Sequence, residues 1–345
     1  MRTGPRQDWV EKIKRLLFTG LKGLHRTGET HYKDRPMKRN FFITLSLLSL
    51  LAGCHGGQET SNGTSPSKMV VAATFFPLYD LTRTIAGEAA DVYSIVPLNA
   101  EPHEYENSPQ DLIRLTQAKV FVTLGVPKGF APFEEKLIES APSNLILIAA
   151  GKGITLITPQ GEFGDVSDDL KFNGFDPHLW VSPKNAMVMV KNIRDGLISA
   201  DPANGKIYQA NAEALLADLT KLDADYTQGL SNCGVHLILA AHDAFSYLAR
   251  DYGFKSYYVD GLSPEQEPSP RQIARLIDVA KQYQLKYLFY ESTINPKVSQ
   301  TIADQIGAKT LLVSSIESTN DPQETYLDLS RKNLRSLTTG MGCPP

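Results

Sequence analysis

From residue 70 onward the chain alternates short β-branched runs with longer segments in which apolar residues return every three or four positions. This is the pattern of strands interleaved with amphipathic helices. V-V-A-A-T-F (70–75), Y-S-I-V-P-L (93–98), V-F-V-T-L-G (120–125) and L-I-L-I-A-A (145–150) predict strands, and 78–86, 109–118 and 133–139 predict helices between them. After a polar loop and D-P-H-L-W (176–180), a helix is expected over 183–199 with Met187, Val190, Ile193 and Leu197 on one face. The second half repeats the pattern: V-H-L-I-L-A-A (235–241), S-Y-Y-V-D-G (256–261), Y-L-F-Y-E-S (287–292) and T-L-L-V-S-S (310–315) predict strands. Helices are expected over 245–251, 269–283, 296–306 and 324–337, with Ser269-Pro270 as a capping start.

Strands regularly separated by helices argue for parallel sheets covered on both faces, hence an α/β fold. Between the halves, Asp201-Pro202 begins an apolar repeat through Tyr208, Leu215, Leu219, Leu222 and Tyr226. A helix from Pro202 to about Leu230 would be about 40 Å long, more than one small lobe needs, and is read as a rigid strut joining two α/β lobes. The expected map is an upstream extension and signal over 1–53, a tether over 54–68, an N-terminal lobe over 69–200, a linking helix over 201–231 and a C-terminal lobe over 232–345. A rigid strut implies small lobe tilts in place of wide opening.

Composition narrows the function classes. With 345 residues, 42% of them hydrophobic, the chain can bury more than one core. The formal charge of −3, with both signs interspersed, lacks the clustered basic footprint of a nucleic-acid binder. Met37-Lys38-Arg39-Asn40, an apolar run over 41–50 too short for a permanent anchor, and L-A-G-C ending at Cys54 resemble a bacterial lipoprotein signal. Cleavage would leave Cys54 as the lipidated first residue, followed by a Gly/Ser-rich leash that contains His55 and holds the folded part outside the cytoplasm. Cys233 and Cys343 then remain, either paired across a long loop or as two separate buried thiols.

Three histidines carry the candidate chemistry. E-P-H-E around His103, D-P-H-L-W around His178 and A-A-H-D-A-F around His242 each put an imidazole just beyond a strand, where ligands collect in open α/β sheets. Neutral imidazole suits borderline divalent metals, zinc above all. Proline before His103 and His178 holds the backbone extended. Asp176 and Asp243 are placed to accept each ring's distal N–H, and Glu291, at the end of Y-L-F-Y-E-S, is a candidate fourth ligand or an acceptor behind a ligating ring. Glu101 and Glu104 flank His103. The acidic loop bearing Glu162, Asp165, Asp168 and Asp169 could guide cations. His236, inside an apolar run, reads as a hydrogen-bonded structural histidine.

Taken together, P-H-E-Y, D-P-H-L-W, A-H-D-A-F-x-Y-L, G-L-S-P-E-Q-E-P-S-P and the lipobox resemble the substrate-binding lipoproteins of zinc and manganese ABC transporters, from about Val70 to the C-terminus. That resemblance implies two α/β lobes joined by a long helix, a monomer holding its metal between them, and delivery of the ion to a membrane permease. By motif match the ligands are His103, His178 and His242. Histidine at the third position is similar to zinc-type relatives, whereas manganese-type relatives tend to use glutamate there; nitrogen-rich sites suit zinc. Two departures stand out. Ser314 aligns where relatives often place a late aspartate, leaving water or Glu291 for the fourth position, and the histidine-rich loop of many zinc members is missing. Competing readings are a manganese or iron carrier of the same class, a zinc hydrolase, for which no H-E-x-x-H or placed general base is found, and a surface adhesin.

Overall fold

The computed structural model describes residues 68–126, 132–158, 175–258, 270–291 and 297–344. The signal segment, Cys54, His55, most of the tether, the acidic loop with Glu162, Asp165, Asp168 and Asp169, and nearly all of the G-L-S-P-E-Q-E-P-S-P stretch lie outside the described residues.

The first lobe is a four-stranded parallel sheet of order β2-β1-β3-β4, formed by β1 (Met69–Ala73), β2 (Ala90–Ser94), β3 (Val120–Thr123) and β4 (Ile146–Ala149). Parallel neighbours require crossovers, which α1 (Phe76–Ala86), α2 (Pro109–Leu115) and α3 (Pro132–Ser140) provide. All four residues of β3 are buried, so the strand reads as a continuous apolar run, as a sheet covered on both faces demands. The strand expected over 93–98 lies earlier. It pairs with β1 from Met69↔Ala90 to Ala73↔Ser94, and although Ile95 and Val96 still donate to the carbonyls of Ala73 and Thr74, Pro97 has no N–H with which to continue.

Two helices then pack antiparallel. In α4 (Pro183–Ala200) the buried stripe is Ala186, Met189, Val190, Ile193 and Leu197; Met187 is only half-buried, its sulfur accepting a hydrogen bond from Thr220. The strut begins later than expected. Residues 202–204 form a 3₁₀ turn because the Asp201 carboxylate accepts from Asn204 and from the Tyr208 hydroxyl, both at 2.7 Å, and the α-helix proper is α5 (Gly205–Gly229). Its 25 residues span about 38 Å. Its buried residues Tyr208, Ala212, Leu215, Leu219, Leu222 and Tyr226 recur every three or four positions. Each large apolar side chain so covered contributes about 1.5–3 kcal/mol.

The second lobe contains the parallel pair β5 (Leu237–Ala240) and β6 (Lys255–Tyr258) and the parallel pair β7 (Tyr287–Tyr290) and β8 (Lys309–Leu312). Around them lie α6 (Ser246–Tyr252), α7 (Pro270–Gln282), α8 (Lys297–Ile306) and α9 (Tyr326–Gly340). A separate apolar cluster of Leu237, Leu239, Tyr257, Leu276, Leu288 and Ile302 gives this lobe its own core. Cys233 and Cys343 form a disulfide across 110 residues, tying the end of α5 to the C-terminus.

After β8 the chain returns to the first lobe. Thr319 N–H donates to Leu98 O at 2.7 Å, Tyr326 N–H to the Asp80 carboxylate at 2.8 Å, and the Tyr326 hydroxyl to Trp180 O at 2.7 Å. Helix α9 then runs back onto the second lobe, packing so closely that a Cβ on Gly340 would lie 2.3 Å from the Phe289 ring. The polypeptide therefore passes between the lobes three times, through α5, through 313–326 and back through the start of α9.

Candidate metal centre

The three histidines that the sequence spreads over 140 positions converge. His103 rides a single 3₁₀ turn, Pro102–Glu104, whose capping residue Glu101 accepts the His103 backbone N–H at 3.2 Å; Glu104 is exposed. His178 is oriented by Asp176, one carboxylate oxygen of which accepts both the backbone N–H and the ring Nδ1–H, each at 2.8 Å. The Asp176 carbonyl is itself held by the Tyr247 hydroxyl of α6 at 2.7 Å. His242 follows β5, and Glu291, just past β7, accepts its Nδ1–H at 2.7 Å. With Nδ1 committed as donor in both rings, each directs Nε2 at a common point.

The fourth group at that point is Glu317. Its Oε1 lies 3.2 Å from His103 Nε2, 3.1 Å from His178 Nε2 and 3.8 Å from His242 Nε2, and the two nitrogens of His103 and His178 are 3.3 Å apart. One ligand atom from each of the four residues lies within 4.8 Å of every other. Four ligands at zinc bonding distance on a tetrahedron are separated by about 3.3 Å, so these edges are those of a nearly assembled tetrahedral shell. Side-chain exposure is 0–2% for all four. His242 Nε2 and Glu317 Oε2 are buried without hydrogen-bond partners, the condition of groups shaped for an ion.

Electrostatics follow from three imidazoles crowding one carboxylate. Burial lowers the pKa of His178, but Asp176 and Glu317 outweigh it and raise the ring to about 9. In His242 burial is likewise outweighed, by Glu291 and then Glu317, and the ring is held well above its ordinary value. Burial dominates at His103, which is lowered, while in Glu317 burial yields to the three histidines and the carboxyl falls well below its usual range. Burial and the nearby Glu317 charge push Glu101 up to about 8.

Several expectations need correction. Ser314 does not face the cluster: its N–H and C=O are both held by the Asn333 side chain, at 2.8 and 2.7 Å. The carboxylate arrives three residues later because the backbone turns at Ile316, a non-glycine residue at φ 61°, with Ile316 N–H donating to Ser314 Oγ. The legible signal was an acidic residue closing the otherwise uncharged run T-L-L-V-S-S-I. Asp243 does not orient His242; it accepts from Ser246 Oγ at 2.7 Å, and burial beside Asp176 raises it to about 7. His236 is exposed just before β5 begins, contrary to the structural role expected of it. Of the two roles expected for Glu291 it takes the acceptor's: it lies on the far side of His242 from the convergence point, holds that ring's Nδ1–H, and is not among the four clustered ligands.

Known proteins give an independent comparison. The family model described as zinc-uptake complex component A, periplasmic, matches residues 71–340. The zinc-binding protein AdcA of Streptococcus pyogenes serotype M1 is 30% identical over 87% of this chain, which spans only 61% of that relative's length. The high-affinity zinc uptake system protein ZnuA of Bacillus subtilis is 31% identical over 86% of this chain and 95% of its own. Among solved structures, the laminin-binding protein Lmb of Streptococcus agalactiae, described as bifunctional with adhesin and metal-transporting activity, superposes with a TM-score of 0.70 at 31% identity, covering 80% of this chain and all of the other. The Zn(II)-bound ZnuA-like domain of Streptococcus pneumoniae AdcA gives 0.67 at 30% identity, covering 80% of this chain and 99% of the other.

Proposed function

Because the chain belongs to the family of the periplasmic component A of zinc-uptake complexes, we propose that it captures zinc outside the cytoplasm and hands it to an ABC-transporter permease. The observation that carries this reading is the buried group of three imidazole nitrogens and one carboxylate oxygen within 4.8 Å of one another. His103, His178, His242 and Glu317 are the proposed ligands, and zinc is cargo. Three nitrogens and one oxygen at tetrahedral spacing favour zinc over the oxygen-preferring, octahedral manganese. Glu291 and Asp176 orient the rings of His242 and His178 from behind.

Delivery to a permease fits a folded part held at the membrane by a lipid on Cys54, which we include in the proposal together with a monomeric state. A hydrolase would need an open coordination position and a general base facing it. Here the fourth position faces Glu317, and the group is sealed from solvent. Adhesion, which the description of Lmb includes, is separable from metal capture: matrix binding that survives loss of all three histidines would be an additional activity.

Elemental analysis of the purified chain from residue 55 onward, beside a variant with His103, His178 and His242 replaced by alanine, tests the proposal. One zinc per chain in the parent and none in the variant is expected. Competition titration then ranks the metals, and weaker binding of zinc than of manganese would remove the zinc assignment.

A further inference from the structure

Glu291 uses both of its oxygens. Oε1 accepts the Nδ1–H of His242 at 2.7 Å, and Oε2 accepts the backbone N–H of Ser315 at 3.2 Å. The residue is 1% exposed at the end of β7, so neither bond competes with water. Ser315 stands two positions before Glu317, and between them Ile316 makes the left-handed turn that aims the Glu317 carboxylate inward. From the other side, the Ser315 carbonyl accepts Trp180 Nε1–H at 2.8 Å, and Trp180 is two positions after His178. One buried carboxylate therefore touches one of the two groups that the second lobe contributes to the cluster, His242, and reaches the other, Glu317, at one remove.

We propose that Glu291 is a positioning residue that couples His242 to the turn carrying Glu317, so that the third and fourth ligands are presented and withdrawn together. This rests on the zinc-capture reading above and adds to it a route for release. Glu317 swings away only if Ser315 leaves Oε2, which frees Glu291 to shift and lets the His242 ring rotate out of line. A carrier that must bind tightly and then surrender its ion gains from losing two ligands in one movement, because each bond broken singly would leave a buried, still-chelated ion. Asp176, by contrast, spends one oxygen on its own histidine, and among the described residues no hydrogen bond joins its carboxylate to Glu317's turn.

The coupling is measured with a double-mutant cycle on the chain from residue 55. Glu291→Gln keeps the shape but offers a single acceptor, so it cannot receive both N–H groups. Its expected effect is a ~10–100-fold loss of zinc affinity with a faster zinc release rate in chelator competition. In a Glu317→Gln background the same change should cost at least ~5-fold less, because the share of the loss that passes through the turn is already gone and only the orientation of His242 remains at stake. Losses that simply multiply would overturn the coupling. Asp176→Asn is the control, expected to lose affinity by the same factor in both backgrounds. Should Glu291→Gln unfold, as thermal unfolding of the metal-free protein would reveal, Glu291→Asp carries the same cycle: its shortened stem reaches only one of the two donors. The two readings fail differently. If His178→Ala binds zinc as well as the parent, the metal site itself is refuted; if His178→Ala fails to bind while the cycle is additive, only the coupling is.

Discussion

Acidification should strip zinc from this protein in a two-proton step. Metal binding requires deprotonated ligands, so any proton held by the metal-free cluster must be displaced. His178, raised to about 9, holds a proton at pH 7, and His242, against its burial, is shifted in the same direction by Glu291 and Glu317. His103, lowered by burial, and Glu317, held well below the carboxylate range, carry none. Each displaced proton lowers apparent affinity ~10-fold per pH unit, so two give about 100-fold per unit and ~10⁴-fold between pH 8 and pH 6. Above about pH 9 the slope relaxes as His178 loses its proton. Isothermal titration with zinc at pH 7, in buffers of different ionisation enthalpy, counts the protons directly; about two per zinc are expected. A count below one, or an affinity flat from pH 6 to 8, refutes the reasoning. The same linkage sets the stability of the metal-free protein. A raised histidine stabilises fully below its ordinary pKa of 6.5 and loses that contribution as pH climbs through about 9. At ~1.4 kcal/mol per unit, His178 accounts for up to about 3 kcal/mol, so metal-free unfolding midpoints should fall between pH 6.5 and 9, and zinc should abolish the trend.

Further outcomes follow from other contacts. In a chain beginning at residue 55 Trp180 is the sole tryptophan, and because its indole spans His178 and the Ser315 carbonyl, zinc titration should change its emission with one-to-one stoichiometry; Trp180→Phe should remove the signal and cost about 1–3 kcal/mol through the stranded carbonyl. Replacing Cys233 and Cys343 by serine opens a 110-residue loop and should lower stability by about 2–4 kcal/mol in chemical denaturation, with zinc affinity unchanged. Gly340→Ala should destabilise by about 1–3 kcal/mol, since its Cβ meets the buried Phe289 ring at 2.3 Å; a thermal midpoint equal to the parent's would contradict the packing.

Period and punctuation in the sequence were enough to reveal the strand–helix alternation, the long linking helix and the strand-end position of the three histidines. Side-chain direction past a strand end was harder. Asp176 and Asp243 look equivalent beside their histidines, yet Asp176, two positions before its ring, accepts the ring N–H, whereas Asp243 sits in a tight turn closed by Ala244 N–H on His242 O and is held by Ser246. Glu317 was hidden for a related reason. A left-handed turn at a β-branched residue is not announced by any Gly or Asn, so Ser314 occupied the expected place while the ligand stood three residues on. His236 lay in an apolar run but stands just before the strand begins, where it is exposed. These errors all concern where a chain leaves its regular structure, which depends on hydrogen bonds to distant residues such as Asn333 and Glu291.

That the backbone joins the lobes at two places, along α5 and where 313–326 meets the start of α9, has a mechanical consequence. Two bodies pinned at separate points keep one easy freedom, rotation about the line through both pins, and every other relative displacement must stretch or unwind a connection. Uptake and discharge of the ion should therefore be a shallow rocking about that line, and its amplitude is set by how far residues 313–326 can slacken before Tyr326 lets go of Asp80 and Trp180.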